Sequence, residues 1–286
     1  RGHRSAGAGP GVSGADLHLH TCHSDGADTP ARVAGRAAEA GFEAIAITDH
    51  DTVSGVAEAA RAAQARDIRF LTGVEISARI NRCEVHVVGL GIDPAAPVLR
   101  ARLEELRAAG RERGEQMLAR LRDLGMMFDD TVLRENAEGR PLSRMHIAYH
   151  LRLAGITQTT QEGFDRFLKR GRPAFVTKKT CTAGEALDWI HDAGGLAFVA
   201  HPGLTRALRR LLPTLLEMPF DGLEAYHVSH TPEQTRRFLA LAEARGLLIA
   251  GGSDCHGAIK GKPEMGRVRV PMQCVHAILE RRGKPA

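Results

Sequence analysis

Aromatic side chains are scarce in this sequence, at 4% of 286 residues, with one tryptophan and two tyrosines. Proteins that hold long single strands of nucleic acid stack successive bases on aromatic rings, so this scarcity disfavours an extended nucleic-acid track. Uninterrupted apolar stretches of 18 residues are absent as well, and the sequence therefore predicts no membrane-spanning helix. A P-loop motif is also missing.

Cysteine is sparse, and its pattern excludes two further classes. The odd number of five, without a CxxC pair, disfavours both a disulfide framework and a thiolate zinc site. We therefore expect a protein of the reducing cytoplasm. Residues 1–14 are basic and rich in glycine, serine and alanine without an apolar segment, which predicts a flexible arm rather than a signal peptide.

The formal net charge of +5 is unevenly distributed along the chain. Residues 100–180 contain 17 lysines and arginines against 11 aspartates and glutamates, a net charge of +6, while the rest of the chain has 22 against 23. A solvated helical face can produce such a bias, and so can a segment that binds a phosphorylated ligand. Both interpretations stay open at this point.

Short apolar segments alternate with helical segments over most of the chain, which predicts parallel strands joined by crossover helices. Amphipathic helices are predicted at 29–42, 54–67 and 231–246, each beginning with serine or threonine. Eight strands with flanking helices favour a closed barrel over an open sheet. The predicted strands are 15–20, 44–48, 69–76, 84–91, 196–200, 222–227, 247–252 and 267–270.

The alternation stops between about residues 96 and 182, where charged helical sequence replaces the strands. We therefore expect residues 15–96 and 182–286 to form the barrel. Residues 97–181 are expected to form an inserted, mostly helical cap subdomain.

Histidines and carboxylates collect near the ends of the predicted strands. The carboxyl ends of parallel strands lie on one rim of a barrel, where barrel enzymes place their active sites. His18 and His20 are two residues apart on a strand, so both imidazoles point to one face and can bind one metal ion. Imidazole mixed with carboxylate suits manganese, zinc or iron. The rim residues are His18, His20, Asp25, Asp49, His50, Glu75, His86, His201, Asp254 and His256.

The motifs around these residues resemble those of the polymerase and histidinol phosphatase (PHP) family of metal-dependent phosphoesterases. In order, they are HLH (18–20) with SDG (24–26), TDHD (48–51), GVEIS (73–77), EVHVVG (84–89), AHPG (200–203) and GSDCHG (252–257). The resemblance covers residues 15 to about 257. It implies an α/β fold, a distorted (β/α)7-type barrel, here with an inserted mostly helical cap subdomain.

The resemblance also implies two to three divalent ions, with manganese as the first choice and zinc or iron as alternatives. Glu75 would bridge two of the ions, because a carboxylate has two oxygens. Asp49 would orient an imidazole rather than bind metal. The implied sets are His18, His20, Glu75 and Asp254 for one ion; Glu75, His86 and His201 for a second; and Asp25, His50 and His256 for a third.

The charge of such a site points to its substrate. Three divalent ions and three carboxylate ligands leave a charge of about +3, which suits a phosphate dianion attacked by a hydroxide that bridges two ions. Glu75 thereby has a catalytic role. His230 follows a predicted strand and is expected either to protonate the leaving group or to position it.

The insert resembles that of the branch containing 3',5'-nucleoside bisphosphate phosphatases and 5'-to-3' exoribonucleases of the RNase AM type. By this resemblance Arg144, His146 and Arg172 would bind a second phosphate, and Ser229 and His230 would contact phosphate from the barrel side. Guanidinium groups bind phosphate through paired N–H donors. Met145 stands where this branch commonly has proline.

The expected function is removal of one phosphate from a 3',5'-bisphosphonucleoside, with 5'-to-3' trimming of short 5'-phosphorylated RNA as an additional activity. The expected partners are such a nucleotide or a short RNA 5' end, without a membrane or a long nucleic-acid track. One alternative is a phosphatase of histidinol phosphate or another small phosphomonoester. The second is a non-catalytic, metal-stabilised module that binds nucleic acid.

Overall fold

The structure is a computed structural model that describes residues 13–81, 83–126, 129, 131, 133, 141–260 and 264–283. The predicted flexible arm at 1–14 therefore lies almost entirely outside the described residues. Within these ranges, no helix is both long and apolar enough to cross a membrane.

Eight strands form one sheet in the part of the chain that the structure describes. Their order is β1-β2-β3-β4-β6-β7-β8, and the short β5 pairs with β3. Backbone hydrogen bonds from Asp254 to His18 and from His20 to Cys255 join the chain after β8 to β1, so the sheet is a nearly closed barrel. The strands are β1 (Ala15–Leu19), β2 (Ala44–Ile47), β3 (Arg69–Ile80), β4 (Cys83–Leu90), β5 (Cys181–Thr182), β6 (Leu196–Val199), β7 (Gly222–His227) and β8 (Leu248–Gly252).

The helices follow the predicted amphipathic segments closely. The first begins after Thr29, whose side chain accepts a hydrogen bond from the Arg32 N–H, and the eighth begins after Thr231 and ends at Gly246, where φ is 64°. The α-helices in the described residues are α1 (Pro30–Glu39), α2 (Val56–Gln64), α3 (Pro97–Asp123), α4 (Arg144–Leu153), α5 (Thr160–Gly163), α6 (Ala183–Asp192), α7 (Arg206–Leu215), α8 (Pro232–Arg245) and α9 (Met272–Arg282).

The sheet differs from the prediction in two places. The strand β4 runs antiparallel to both β3 and β6, whereas the alternation of elements predicted a parallel sheet. The predicted strand at 267–270 is reduced to an antiparallel bridge between Val270 and Ala15. The first difference arises because β3 and β4 form a hairpin, which needs no crossover helix.

The inserted segment has a hydrophobic core of its own. Met117, Leu118 and Leu121 of α3 pack there with buried residues of α4 and with Phe167 and Leu168 of a π-helical turn, Phe164–Leu168. Earlier residues of the same helix, including Leu99, Leu103 and Leu106, belong to the barrel core instead. Because one continuous helix serves both cores, the barrel and the cap meet along α3.

Candidate metal centre

Glu75 lies at the centre of a cluster of histidines. It is 1% exposed and sits in the middle of β3, which extends beyond β2 at the rim. Each oxygen faces a different set of rings, the arrangement that a carboxylate bridging two ions requires. Oε1 is 2.7 Å from His86 Nδ1 and 3.0 Å from His201 Nε2, whereas Oε2 is 3.1 Å from His18 Nε2, 3.2 Å from His20 Nε2 and 3.1 Å from His50 Nδ1.

Two aspartates lie beside rings that face Glu75 Oε2. Asp254 Oδ1 is 3.1 Å from His20 Nε2 and 3.4 Å from His256 Nδ1. Asp25 Oδ1 is 3.1 Å from His256 Nε2 and 3.9 Å from His50 Nε2. The structure therefore brings together all nine residues that the sequence singled out as metal ligands.

His86 lies at this rim because its strand runs in the direction opposite to the predicted one. It lies near the amino-terminal end of β4, and the antiparallel direction of that strand places this end beside the second half of β3, where Ser77 pairs with His86. The sequence interpretation had assigned it to the carboxyl end of a parallel strand. The residue was correctly grouped although the direction of its strand was wrong.

Several buried polar atoms in the cluster lack a hydrogen-bond partner, as ligand atoms awaiting a cation do. They include Nδ1 of His20, His86 and His201, together with Nε2 of His256 and Oδ1 of Asp25. Four overlapping groups of three or four side chains among the described residues have ligand atoms within 4.8 Å of one another. The donor set of imidazole nitrogen and carboxylate oxygen fits divalent transition metals.

The electrostatics of the cluster keep its carboxylates ionised. Burial would raise the pKa of Glu75, but the nearby imidazoles of His86 and His18 hold it well below its usual range. Burial lowers the pKa of His50 to about 3, so this ring is neutral. Burial would also lower the pKa of His86, yet Glu75 raises it to about 10, and metal binding there must displace a proton.

Glu224 is a functional candidate that the sequence interpretation missed. It is fully buried on β7; its Oε1 accepts a hydrogen bond from His18 Nδ1 at 2.8 Å, and its Oε2 accepts one from the His201 N–H at 2.7 Å. The carboxylate thus fixes the ring of one predicted ligand and the backbone of another, where His201 has a φ of 30°. The sequence offered one signal for this role, because Glu224 is an acidic residue between apolar residues of a predicted buried strand.

The expectation for Asp49 needs correction. Its carboxylate accepts hydrogen bonds from the Thr21 N–H at 2.7 Å, from Thr21 Oγ1 at 2.6 Å and from Ser24 Oγ at 2.5 Å. Asp49 therefore orders the loop after β1, which carries Asp25, instead of orienting an imidazole. The ring of the predicted ligand His18 is oriented by Glu224 instead.

A cavity of about 260 Å³ connects the metal-ligand cluster to the cap. On the barrel side it is lined by His50, His86 and His256, and on the cap side by Arg144 and Phe164. The remaining lining residues are His23, Ser24, Asp25, Asp51, Ser77, Glu84, Leu106, Arg107, Gly110, Arg113, Pro141, Leu142, Ser143, Met145 and Lys178.

Of the three cap residues predicted to bind a second phosphate, this cavity is lined by Arg144 alone. His146 takes part in the start of α4, where its Nδ1 accepts a hydrogen bond from the Ser143 N–H at 3.3 Å. Arg172 is exposed in the turn after the π-helical segment. Sequence position alone could not separate these three residues, because their directions depend on how the cap packs.

Ser229 and His230 make hydrogen bonds within the protein, to backbone groups and to another imidazole ring. His230 Nδ1 donates to the Ala225 carbonyl at 3.1 Å, and its Nε2 accepts from the Gly203 N–H at 3.0 Å. Both ring nitrogens are therefore used, which is the geometry of a positioning residue and leaves no proton for a leaving group. Ser229 Oγ lies 2.7 Å from Nδ1 of the buried His227.

Comparison with known proteins agrees with this geometry. A family model described as the PHP domain matches residues 16–170. The chain belongs to the PHP family. The motif-based prediction is thus confirmed, and with it the class of metal-dependent phosphoesterases.

Relatives of this PHP domain include two enzymes that it matches over most of their length. It is similar to the 3',5'-nucleoside bisphosphate phosphatase of Chromobacterium violaceum, with 39% identity over 257 residues, 88% of this chain and 90% of the relative. It is also similar to the 5'-3' exoribonuclease Rnm of Escherichia coli strain K12, with 32% identity over 249 residues, 84% of each protein. A solved C. violaceum amidohydrolase with bound sulfate gives a TM-score of 0.84 at 37% identity, covering 94% of this chain and 96% of that one.

Lys178 is a second functional candidate that the sequence interpretation missed. Its Nζ donates to Asp51 Oδ2 at 2.8 Å and to Ser77 Oγ at 2.5 Å while the side chain lines the cavity. Asp51 has a φ of 52° and also accepts from the Ser77 N–H at 2.7 Å. The lysine is thereby held at the boundary between the cap and the rim.

Proposed function

We propose that the protein is a divalent-metal-dependent phosphatase that removes one phosphate from 3',5'-bisphosphonucleosides and also trims short 5'-phosphorylated RNA from its 5' end. The observation that carries this proposal is one continuous cavity, which extends from the predicted metal ligands to a cationic and apolar wall of the cap. The proposal is supported by the names of the two relatives, a 3',5'-nucleoside bisphosphate phosphatase and a 5'-3' exoribonuclease.

The residues at the rim support hydrolysis of a phosphate ester. The chemistry that divalent ions supply at such a centre is Lewis-acid activation of a phosphoryl oxygen and of the attacking water. Glu75 would hold two ions through its separate oxygens, and Glu224 would keep His18 and His201 in place. We expect manganese in two to three sites, because nine neutral or anionic nitrogen and oxygen ligands are available and thiolates are not among them.

The cap side of the cavity supports a nucleotide rather than a smaller ester. Leu106, Leu142 and Phe164 offer apolar surface for a nucleoside, and Arg144 and Lys178 offer positive charge for phosphate. Histidinol phosphate carries an ammonium group that the same cations would repel. For this reason we rank the histidinol phosphatase alternative second.

A substrate panel tests the proposal. The manganese-loaded protein would be assayed on adenosine 3',5'-bisphosphate, histidinol phosphate, a short 5'-phosphorylated RNA and p-nitrophenyl phosphate, with metal-stripped protein as the control. We expect the highest kcat/KM on the bisphosphate and loss of turnover on metal removal. A higher kcat/KM on histidinol phosphate would favour the first alternative, and RNA binding without any turnover would favour the non-catalytic module.

The expectation of a short substrate has a separate test in salt. Each phosphate contacted on a single strand contributes about −0.7 to the slope of log affinity against log salt concentration, so one or two contacts give a slope of about −1 to −2. Adenosine 3',5'-bisphosphate and a 5'-phosphorylated decanucleotide should share this shallow slope. A slope of about −5 or steeper for the decanucleotide would contradict the proposal of a short substrate and indicate a longer basic groove.

The five cysteines are free thiols in the structure. This supports, for the natural location of the protein, the reducing cytoplasm that the sequence led us to expect.

A further inference from the structure

A chain of hydrogen bonds joins the cap helix α3 to His23 in the loop after β1. Arg107 Nη1 donates to Thr52 Oγ1 at 2.5 Å, and Thr52 Oγ1 lies 3.0 Å from Ser54 Oγ. Ser54 Oγ in turn lies 2.9 Å from His23 Nδ1. The chain thus connects two residues that line the cavity, one on the cap and one on the rim of the barrel.

The donors and acceptors along this chain can be assigned in one way, because an arginine side chain has no acceptor. Thr52 Oγ1 accepts from Arg107 and also from the Ser54 N–H at 3.2 Å, which uses both of its lone pairs. Its hydroxyl proton therefore goes to Ser54 Oγ, and Ser54 donates its own proton to His23 Nδ1. In a neutral imidazole whose Nδ1 is an acceptor, the proton is on Nε2.

The opposite edge of the His23 ring is open to a ligand. Its Nε2 has no hydrogen-bond partner among the residues that the structure describes. The Cδ2 side of the ring packs against Gly55, where an added Cβ would lie 3.0 Å from Cδ2. The backbone is also held, since the His23 N–H donates to Thr21 Oγ1 at 3.1 Å. The structure therefore presents a preorganised N–H group at the cavity.

The position of this N–H group indicates which acceptor it meets. His23 is two residues before the predicted ligand Asp25, and hydrogen bonds to Asp49 order the loop that carries both. Metal ions at a phosphoesterase centre bind the phosphoryl group that is hydrolysed. The non-bridging oxygens of that group are charged and are strong hydrogen-bond acceptors.

We propose that His23 donates its Nε2–H to a non-bridging oxygen of the phosphoryl group that is hydrolysed, and that Arg107 is a positioning residue that holds the ring in this tautomer through two hydroxyl groups. The inference rests on the proposed function and adds to it a rim residue outside the predicted metal ligands. Because the chain begins on α3, it also gives one cap residue a role in the reaction itself. Hydrogen bonds in such a chain polarise one another.

Nitrogen-15 spectra of histidine-labelled protein test the tautomer. The protein would be loaded with zinc, which has no unpaired electrons, and the His23 signals would be assigned by their loss in His23→Gln. At pH 8 we expect a protonated Nε2 and an unprotonated Nδ1. Ser54→Ala, which removes the donor to Nδ1, should move both signals toward each other, whereas Ser54→Thr should preserve them. A protonated Nδ1 in the wild type would overturn the proposal.

The contact with substrate is tested by kcat/KM on adenosine 3',5'-bisphosphate and on p-nitrophenyl phosphate. His23→Asn, whose amide is too short to reach the position of Nε2, should lower both by about 10- to 100-fold. His23→Gln places an amide nitrogen near that position and should lose less than about 5-fold. Equal losses in these two variants would overturn the contact, and so would a loss on the bisphosphate alone.

The role of Arg107 has its own comparison. Arg107→Met keeps the length of the side chain and removes its donors, and it should lower kcat/KM on both esters by about 3- to 10-fold. Arg102, an exposed arginine of the same helix that pairs with Glu105 at 3.0 Å, provides the control Arg102→Met, which should match the wild type. An unchanged His23 spectrum in Arg107→Met would overturn the positioning role. Loss of bound metal in His23→Asn would assign His23 to the metal site instead.

Failure of the proposed function gives a different result. If the wild-type protein hydrolyses neither ester, calorimetric titration of the manganese-loaded protein with orthophosphate replaces the kinetics. Weaker phosphate binding in His23→Asn than in His23→Gln would retain the hydrogen-bond donor without the phosphatase. Equal binding in these variants and the wild type would reject the donor.

Discussion

The rim of the barrel and the wall of the cap hold their functional groups in different ways. At the rim, short side chains project from strands and the loops that follow them, and hydrogen bonds such as those from Glu224 fix them on both sides. On the cap, long arginine side chains reach the cavity from α3 and α4. Under the proposed function, the rim would set the geometry of the reaction and the cap would determine which ester enters.

The largest effect is expected from substitution of the central carboxylate of the rim, which tests whether the rim alone holds the metal ions. Glu75→Gln should lower turnover roughly 10³-fold or more, because the oxygens of one residue serve two sets of histidines. It should also remove more bound metal than His256→Asn, measured by metal analysis. A full metal complement in Glu75→Gln would rule out the bridging role, and circular dichroism would show whether either variant has unfolded.

A smaller loss of activity is expected from substitution of Glu224, which contacts two of the predicted metal ligands. Glu224→Gln cannot accept both hydrogen bonds, from the His18 ring and from the His201 N–H, and so metal affinity or activity should fall by about 10- to 100-fold. A manganese titration of activity would separate weaker binding from slower turnover. The exposed Glu39→Gln is a matched control, and equal behaviour of the two variants would remove Glu224 from the site.

A substitution in the cap should change the preference for bisphosphates over monoesters and leave the metal content unchanged. Arg144→Ala should cost about 30-fold in kcat/KM on a bisphosphate and little on simple monoesters, with the full metal complement retained. Arg172→Ala, outside the cavity, should stay within about 2-fold of the wild type on both. Loss of metal in Arg144→Ala would mean that the separation of roles between rim and cap is incorrect.

The smallest effect lies away from both regions, at the end of α6. His191 Nε2 is 2.8 Å from Asp221 Oδ2, and this hydrogen bond raises the pKa of His191 above 6.5. A raised folded-state pKa stabilises the fold below the unfolded value, and this contribution is lost as the pH rises through the folded value. The ring is partly exposed, so His191→Gln should lower Tm by roughly 1–2 °C at pH 6 and less at pH 8.

A Tm difference that grew between pH 6 and pH 8 would contradict the assigned direction. Activity on the bisphosphate should be the same in His191→Gln and the wild type. The variant thus measures background stability against which the changes at the rim and cap can be judged.

The clustering of the nine predicted ligands could be expected from the sequence, because strand geometry and the family motifs both place them near one rim. Residues 18 and 20 share a face of any strand, and side chains at strand ends meet on one rim whatever the details of packing. The direction of β4 was harder, although Asn81, with a φ of 54° between two apolar segments, was a usable turn signal. The hairpin was missed because residues 69–76 and 84–91 were interpreted as neighbouring parallel strands.

The cap residues could not be assigned in the same way. The helix α3 carries seven arginines among 27 residues, and the sequence contains no strict period that separates the exposed ones from Arg113. The direction of each is decided by the contact of α3 with two different cores. The net charge of +6 pointed to the segment, but only the packed structure shows that Arg113 and Arg144 line the cavity and that Arg172 does not.

The pairing of β4 with β6 has a consequence for how the chain folds. Leu90 and Leu196 are register partners, so the whole cap is enclosed between two adjacent strands. Closing an unstructured loop of about 100 residues costs about 2 kcal/mol more in chain entropy than closing one of about 10 residues. A cap that has already folded brings its ends together and removes much of this cost. Large-to-small substitutions in the cap core, such as Leu151→Ala, should therefore slow the late assembly of a barrel that they never touch.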